Sequence, residues 1–223
     1  MDTFLSTTRE SDVHIACSGL LLQGTLTLPS ATTGLVIFAH GSGSSRMSPR
    51  NRMVAANLNH EGLATLLLDL LTAEEAAAEE ATGALRFNIP FLTTRLIAAT
   101  RWALSQDDLR TLPIGFFGAS TGAAAALCAA AALPAVQAVV SRGGRTDLAG
   151  DAVSRVAAPT LLIAGEHDQP VIAWNHATLE RLPGVKHLAV VHGATHLFHE
   201  PGALEQVAVL AAGWFKIHLS SPR

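Results

Sequence analysis

Short, unbroken apolar runs alternate along this chain with longer stretches of helical period. The run LVIFA at 35–39 leaves no position for solvent, as a strand buried on both faces of a parallel sheet requires. Alternating polar and apolar positions predict an earlier strand at 21–28, and further strands are predicted at 64–70, 113–118, 138–141, 159–165 and 187–191. Helices are predicted between them at 50–61, 91–104, 121–132, 172–182 and 204–219. Pro90 stands near the start of the 91–104 helix, where a missing amide proton costs nothing, and Leu92, Leu96, Ala99 and Ala103 recur along one face. The last helix carries the stripe Leu204, Val207, Leu210, Ala211, Trp214 and Phe215, read as packing on a sheet, with a dimer surface as the alternative. Strand and helix in alternation predict an α/β fold with a mostly parallel sheet. The segment AEEAAAEEATGAL at 73–85 is open to two readings: a solvated helix or mobile loop, or a lid or partner site.

At 223 residues the chain fits one large domain, 1–223, with enough interior to need no metal or disulfide staple. No Ser/Gly/Pro-rich linker divides it, and no repeat is visible. Charged residues make up 15%, with thirteen Arg and two Lys, Lys186 and Lys216, scattered without a run, and the net charge is -3. That pattern excludes a nucleic-acid footprint, which needs a basic stripe. Cys17 and Cys128 have no metal or redox spacing and read as buried small hydrophobes in a reducing compartment. The start MDTFLSTTRESDVHI has no basic-then-apolar leader pattern, and no apolar run reaches membrane-spanning length, so a cytoplasmic, non-membrane protein is expected.

Chemistry enters at Gly118-Ala119-Ser120-Thr121-Gly122. This G-x-S-x-G directly follows the strand PIGFF and opens an alanine-rich helix, which is the strand-turn-helix context of a nucleophile elbow. The residues two before and two after the serine need almost no side chain, because strand and helix meet there at close range. A serine hydroxyl at neutral pH needs a histidine base and a carboxylate to orient the imidazole. Two loops leaving successive later strands supply candidates: Glu166-His167-Asp168 after TLLIAG, and His192-Gly193-Ala194-Thr195-His196 after HLAVV. Asp168, further out in its loop than Glu166, is the favoured acid. His196 is the favoured base over His192, which sits almost on the strand, and over His199, which lies toward the next helix.

Stabilisation of an oxyanion calls for two amide donors, expected at Thr121 and at Ser42 in the loop His40-Gly41-Ser42-Gly43 after LVIFA. That G-S-G lacks the third glycine and the later acid of a dinucleotide site, and three histidines at 192, 196 and 199 match no common zinc spacing. No cofactor and no metal are therefore expected. Arg142 and Arg145, in RGGRTD after the strand at 138–141, are read either as binding a substrate carboxylate or as salt-bridging Asp147; Arg50-Asn51-Arg52 carries the same two readings more weakly.

The motifs FAHGSGSS, GASTG, AGEHDQPV and GATHLF, in that order over residues 12–219, resemble the α/β-hydrolase superfamily and, within it, its small lidless dienelactone-hydrolase-like members. The resemblance implies a mostly parallel sheet of about eight strands with helices on both faces, the first strands antiparallel, and no large cap domain. It implies catalytic residues Ser120, Asp168 and His196 and an oxyanion hole at Ser42 and Thr121. Dienelactone hydrolases proper use cysteine where this chain has Ser120, and only the short stretch from Arg142 to Pro159 is available where a cap would be inserted. The expected function is a serine hydrolase of small esters or thioesters. A non-catalytic binding module on the same scaffold is the alternative from another class, and an amidase, perhydrolase or acyltransferase would use the same residues. A small-molecule substrate is the expected partner, and monomer and homodimer are both left open.

Overall fold

Nine-residue strands β1 (Arg9–Cys17) and β2 (Leu20–Leu28) form a hairpin whose two connecting residues, Ser18 and Gly19, both take positive φ, as a tight primed turn requires. They edge a sheet completed by β3 (Leu35–Ala39), β4 (Ala64–Leu68), β5 (Ile114–Ala119), β6 (Val136–Arg142), β7 (Thr160–Gly165) and β8 (Lys186–Val191). This computed structural model describes residues 8–219; residues 1–7, the start of the stretch read above as lacking a leader, lie outside them. The strand order is β1-β2-β4-β3-β5-β6-β7-β8, with β2 antiparallel to both neighbours and every pairing from β4 onward parallel. The expected architecture is present: an eight-stranded, mostly parallel sheet flanked by helices, without a large inserted cap.

Helices α1 (Pro49–His60) and α6 (Ala203–His218) cover one face, where Val54, Leu58, Val207, Ala211 and Phe215 pack on Val36, Phe38, Val140 and Ile163. On the other face, α3 (Ile89–Ser105) and α4 (Thr121–Ala132) lay Leu92, Leu96, Ala125 and Leu127 against Ile37, Phe116 and Val139. Helix α5 (Gln169–Arg181) follows β7. The α6 stripe packs on the sheet, as its period predicts.

Two elements differ from the sequence reading. Strand β1 is absent from it, because Arg9, Glu10, Asp12 and His14 sit at outward or edge positions and dilute the apolar alternation at Val13, Ile15 and Cys17. Between β6 and β7 the chain makes 3₁₀ turns over Thr146–Arg155, broken at Gly150. The 73–85 segment is helical as α2 (Ala73–Thr82), started by a Thr72–Glu75 capping box and stopped at Gly83 in a left-handed conformation. Among the described residues, no helix is long and apolar enough to cross a membrane.

The order of strands positions the site. Strand β3 has β4 on one side and β5 on the other, so the loops leaving β3 and β5 turn to opposite faces and open a crevice at the strands' C-terminal ends.

Candidate active site

Ser120 lies between β5 and α4 with φ 51 and ψ −121, a strained conformation for a residue bearing a Cβ. The neighbouring glycines are what allow it. A Cβ at Gly122 would stand 2.2 Å from the Ala39 carbonyl oxygen, and one at Gly118 would stand 2.5 Å from Ala123 Cα. The turn is locked from β6 and the loop after it: Ser120 N–H donates to Arg142 O (3.1 Å), and Arg145 N–H donates to Ser120 O (3.0 Å). Thr121, as the first residue of α4, has an amide without an intrahelical acceptor, at the positive end of the helix dipole.

The loop after β3 closes onto this turn. A Cβ on Gly41 would come within 2.9 Å of Ser120 Cβ, and the Ser42 and Thr121 hydroxyls are 3.1 Å apart, which ties together the residues carrying the two expected amide donors. His40, at the base of the loop, was not singled out by sequence. Its Nε2 accepts from Leu70 N–H (3.0 Å), so Nδ1 carries the proton and donates to Gly41 O (2.9 Å). Burial pushes the His40 imidazole below its ordinary value, against opposing effects from the Gly41 carbonyl and Asp69. A neutral ring thus braces the backbone of the loop. The signal available in sequence was a histidine directly before the glycine-rich turn.

The loops after β7 and β8 are zipped together: Glu166 N–H donates to Val191 O (3.0 Å) and His167 N–H to Ala194 O (2.9 Å). That pairing sets Asp168 Oδ2 2.5 Å from His196 Nδ1. The competitors pair with one another instead. Glu166 Oε2 accepts from Gly193 N–H (2.7 Å) and lies 2.7 Å from His192 Nδ1, and the Gly193 amide leads the effects holding the Glu166 carboxyl below its usual range. His196 and Ser120 both reach the end of β6, since a Cβ at Gly143 would lie 3.5 Å from His196 Cε1 while Ser120 binds the preceding carbonyl.

The two arginines of the RGGRTD segment part ways. Arg145 forms a two-pronged ion pair with Asp147 (3.0 and 2.8 Å) and stacks 4.3 Å over Trp174, and the Asp147 bond raises its guanidinium above the ordinary value. Arg142 is buried, and burial together with the Arg50 charge drives its guanidinium down to about 10. A cleft of about 470 Å³ opens beside Ser42 and Thr121, walled by Arg50, Leu70, Leu92 and, from α2, Ala76 and Glu79. Glu79 is buried and held by Arg86 (2.7 Å) and the Leu85 amide (2.6 Å), so the acidic helix contributes a wall of the cleft.

The model of the dienelactone hydrolase family matches residues 22–213. The chain belongs to that family. A crystal structure of dienelactone hydrolase from Anabaena variabilis is 54% identical, with a TM-score of 0.94 over 95% of this chain and 99% of that one. Hydrolysis of carboxylic esters is the activity typical of the dienelactone hydrolase family. A Mycobacterium tuberculosis protein whose name proposes a phosphoribosyl transferase is 54% identical over 96% of this chain and 48% of its own length. The chain therefore spans about half the length of the curated relatives it matches, and the transferase name belongs to proteins about twice as long. Est1E from Butyrivibrio proteoclasticus, in a structure with ferulic acid bound, shares the fold at 20% identity and a TM-score of 0.78 over 92% of this chain and 98% of that one.

Proposed function

We propose that this family member hydrolyses small esters or thioesters through an acyl-enzyme on Ser120, with His196 as base and Asp168 orienting it. The observation that carries the reading is the 2.5 Å contact between Asp168 Oδ2 and His196 Nδ1. With Nδ1 committed to the carboxylate, Nε2 is the nitrogen left to take a serine proton. The strained turn at Ser120, the approach of Gly41 to it, and the place of His196 against Gly143, next to the carbonyl that Ser120 binds, support the same assignment.

In the proposed reaction His196 removes the Ser120 proton as Oγ bonds to the ester carbon. The carbonyl oxygen becomes an oxyanion stabilised by the Ser42 and Thr121 amides. Collapse breaks the carbon–oxygen or carbon–sulfur bond, and His196 returns the proton to the departing alcohol or thiol. Water, deprotonated by the same imidazole, then releases the acid. General-base assistance contributes typically 10²–10⁴-fold, and each oxyanion donor about 3 kcal/mol. The cleft of about 470 Å³ suits a short acyl chain. Of the two arginines expected at the substrate, Arg145 is occupied by Asp147, which leaves Arg142 as the ligand-binding candidate.

Turnover of p-nitrophenyl esters from acetate to palmitate tests the reading. Short chains should be preferred, and Ser120→Ala should lower kcat/KM by on the order of 10⁴-fold or more. Ser120→Ala turning over at the wild-type rate would refute the nucleophile, and a palmitate preference would refute the substrate class.

A further inference from the structure

Buried arginines in this chain come with a carboxylate of their own. Arg95 is held by Glu75 at 2.6 Å, and the part-buried Arg46 and Arg86 are held by Asp69 (2.6 Å) and Glu79 (2.7 Å). Among the described residues Arg142 is the buried exception, and the part-buried Arg50 beside it is a second. Arg142 is 7% exposed, its Nε and Nη1 have no hydrogen-bond partner, and its Nη2 reaches the neutral Asn51 Oδ1 at a long 3.5 Å. The Phe198 ring, 6.0 Å from Cζ, adds little. The charge that acts on Arg142 is a second cation, Arg50, whose buried Nε is also without a partner. Taking a guanidinium out of water is costly unless it is paired, and an arginine keeps its proton under these conditions.

We propose that Arg142 and Arg50 form a subsite for a phosphate-type dianion carried by the substrate; the proposal rests on the reading of Ser120 as the nucleophile. Arg142 ends β6, and its carbonyl accepts the Ser120 N–H, so its backbone adjoins the turn that carries the reacting hydroxyl. It points to the α1 face of the sheet, as Ala138 and Val140 do at the same alternation. Arg50 and Asn51 sit in the first turn of the 12-residue α1, behind the Ser48 cap and Pro49, where the aligned peptide dipoles add positive potential. Arg50 also walls the cleft that holds Ser42 and Thr121. A molecule in that cleft can therefore place an ester carbonyl beside Ser42 and Thr121 and an anion at Arg50, with Arg142 behind it against Asn51 of the same helical turn. Of the carboxylates on that cleft, Glu79 is bound to Arg86 and the Leu85 amide, and Glu80 is exposed.

Charge selects the class of anion. Two guanidinium groups at a helix N-terminus offer two full positive charges, which a phosphate monoester of charge about −1.5 to −2 matches and a single carboxylate does not.

Two measurements test the subsite. Inorganic phosphate, titrated by calorimetry at constant ionic strength, should bind the wild type and bind Arg50→Gln at least tenfold more weakly. Arg50 is half-buried, so this variant keeps the test available should Arg142→Gln fail to fold. In the second, kcat/KM is compared for 1-acetylglycerol 3-phosphate and 1-acetylglycerol. The wild type should favour the phosphorylated ester at least tenfold, and in Arg50→Gln the ratio should fall toward one. Ser120-dependent turnover without phosphate preference and without phosphate binding would overturn the subsite and leave the hydrolase reading intact. Phosphate binding that depends on Arg50 in a protein that cleaves neither ester would support the subsite and sink the hydrolase reading. A carboxylated ester cleaved faster than the phosphorylated one would overturn the choice of phosphate.

Discussion

Two carboxylate–histidine pairs stand side by side on the loops after β7 and β8, and sequence alone offers little to separate them. Asp168 meets His196 at 2.5 Å, and Glu166 meets His192 at 2.7 Å, so distance does not distinguish them either. Exposure does. The Asp168 and His196 side chains are 12% and 39% exposed, against 39% for Glu166 and 93% for His192. Water around His192 screens the pair and competes for its nitrogens, so that contact orients nothing durable. Asp168, shielded from solvent, fixes the His196 tautomer, and His196 alone of the two rings lies against Gly143, beside the Ser120 turn. The outer pair has a different use: Glu166 takes the Gly193 amide and helps hold together the two loops that bring Asp168 to His196.

Substitutions can break this contrast. His196→Ala should lower kcat on p-nitrophenyl acetate by on the order of 10⁴ to 10⁶, the largest effect after loss of the nucleophile, since no neighbouring ring is placed to replace it. Asp168→Asn should cost on the order of 10⁴ in kcat with the fold unchanged by circular dichroism, because an amide favours the wrong imidazole tautomer. His40→Gln should cost about ten- to a hundredfold, by loosening the loop that carries the Ser42 amide.

The same His40 variant carries a pH signature. The folded His40 holds its proton less well than the unfolded chain, so below about pH 6.5, the ordinary histidine value, unfolding takes up a proton and stability falls as pH drops. Melting temperatures recorded from pH 8 to pH 5 should fall less steeply in His40→Gln than in wild type. At the small end, His192→Ala and Glu166→Gln should each change kcat less than about threefold, as exposed substitutions outside the reacting set. A large loss in either, with Asp168→Asn near wild type, would exchange the roles of the two pairs.

What sequence made legible here was whatever local sterics or local period dictates. Gly118 and Gly122 bracket Ser120 because a methyl group at either would collide with backbone, and that demand is written within five residues. The buried strands β3 and β5 of the sheet centre are legible for the same reason, as runs with no polar position. Asp168 and His196 were reached through their places in their loops, although the loop pairing that joins them crosses from β7 to β8 and leaves no trace in spacing. Strand β1 escaped because an edge strand with one solvated face keeps few apolar positions. Arg142 and Arg145 looked equivalent in RGGRTD, yet one faces Asp147 and the other the N-terminus of α1, nearly a hundred residues away in the chain. Such long-range pairing is set by topology.

On this reading Ser120 is activated by an imidazole that Asp168 holds. Fluorophosphonate labelling followed by intact mass tests it most directly, run on wild type, Ser120→Ala and His196→Ala. One adduct is expected on wild type, mapped to Ser120, none on Ser120→Ala, and labelling of His196→Ala slowed by orders of magnitude. An adduct that persists in Ser120→Ala, or a folded wild type that takes none, would contradict it.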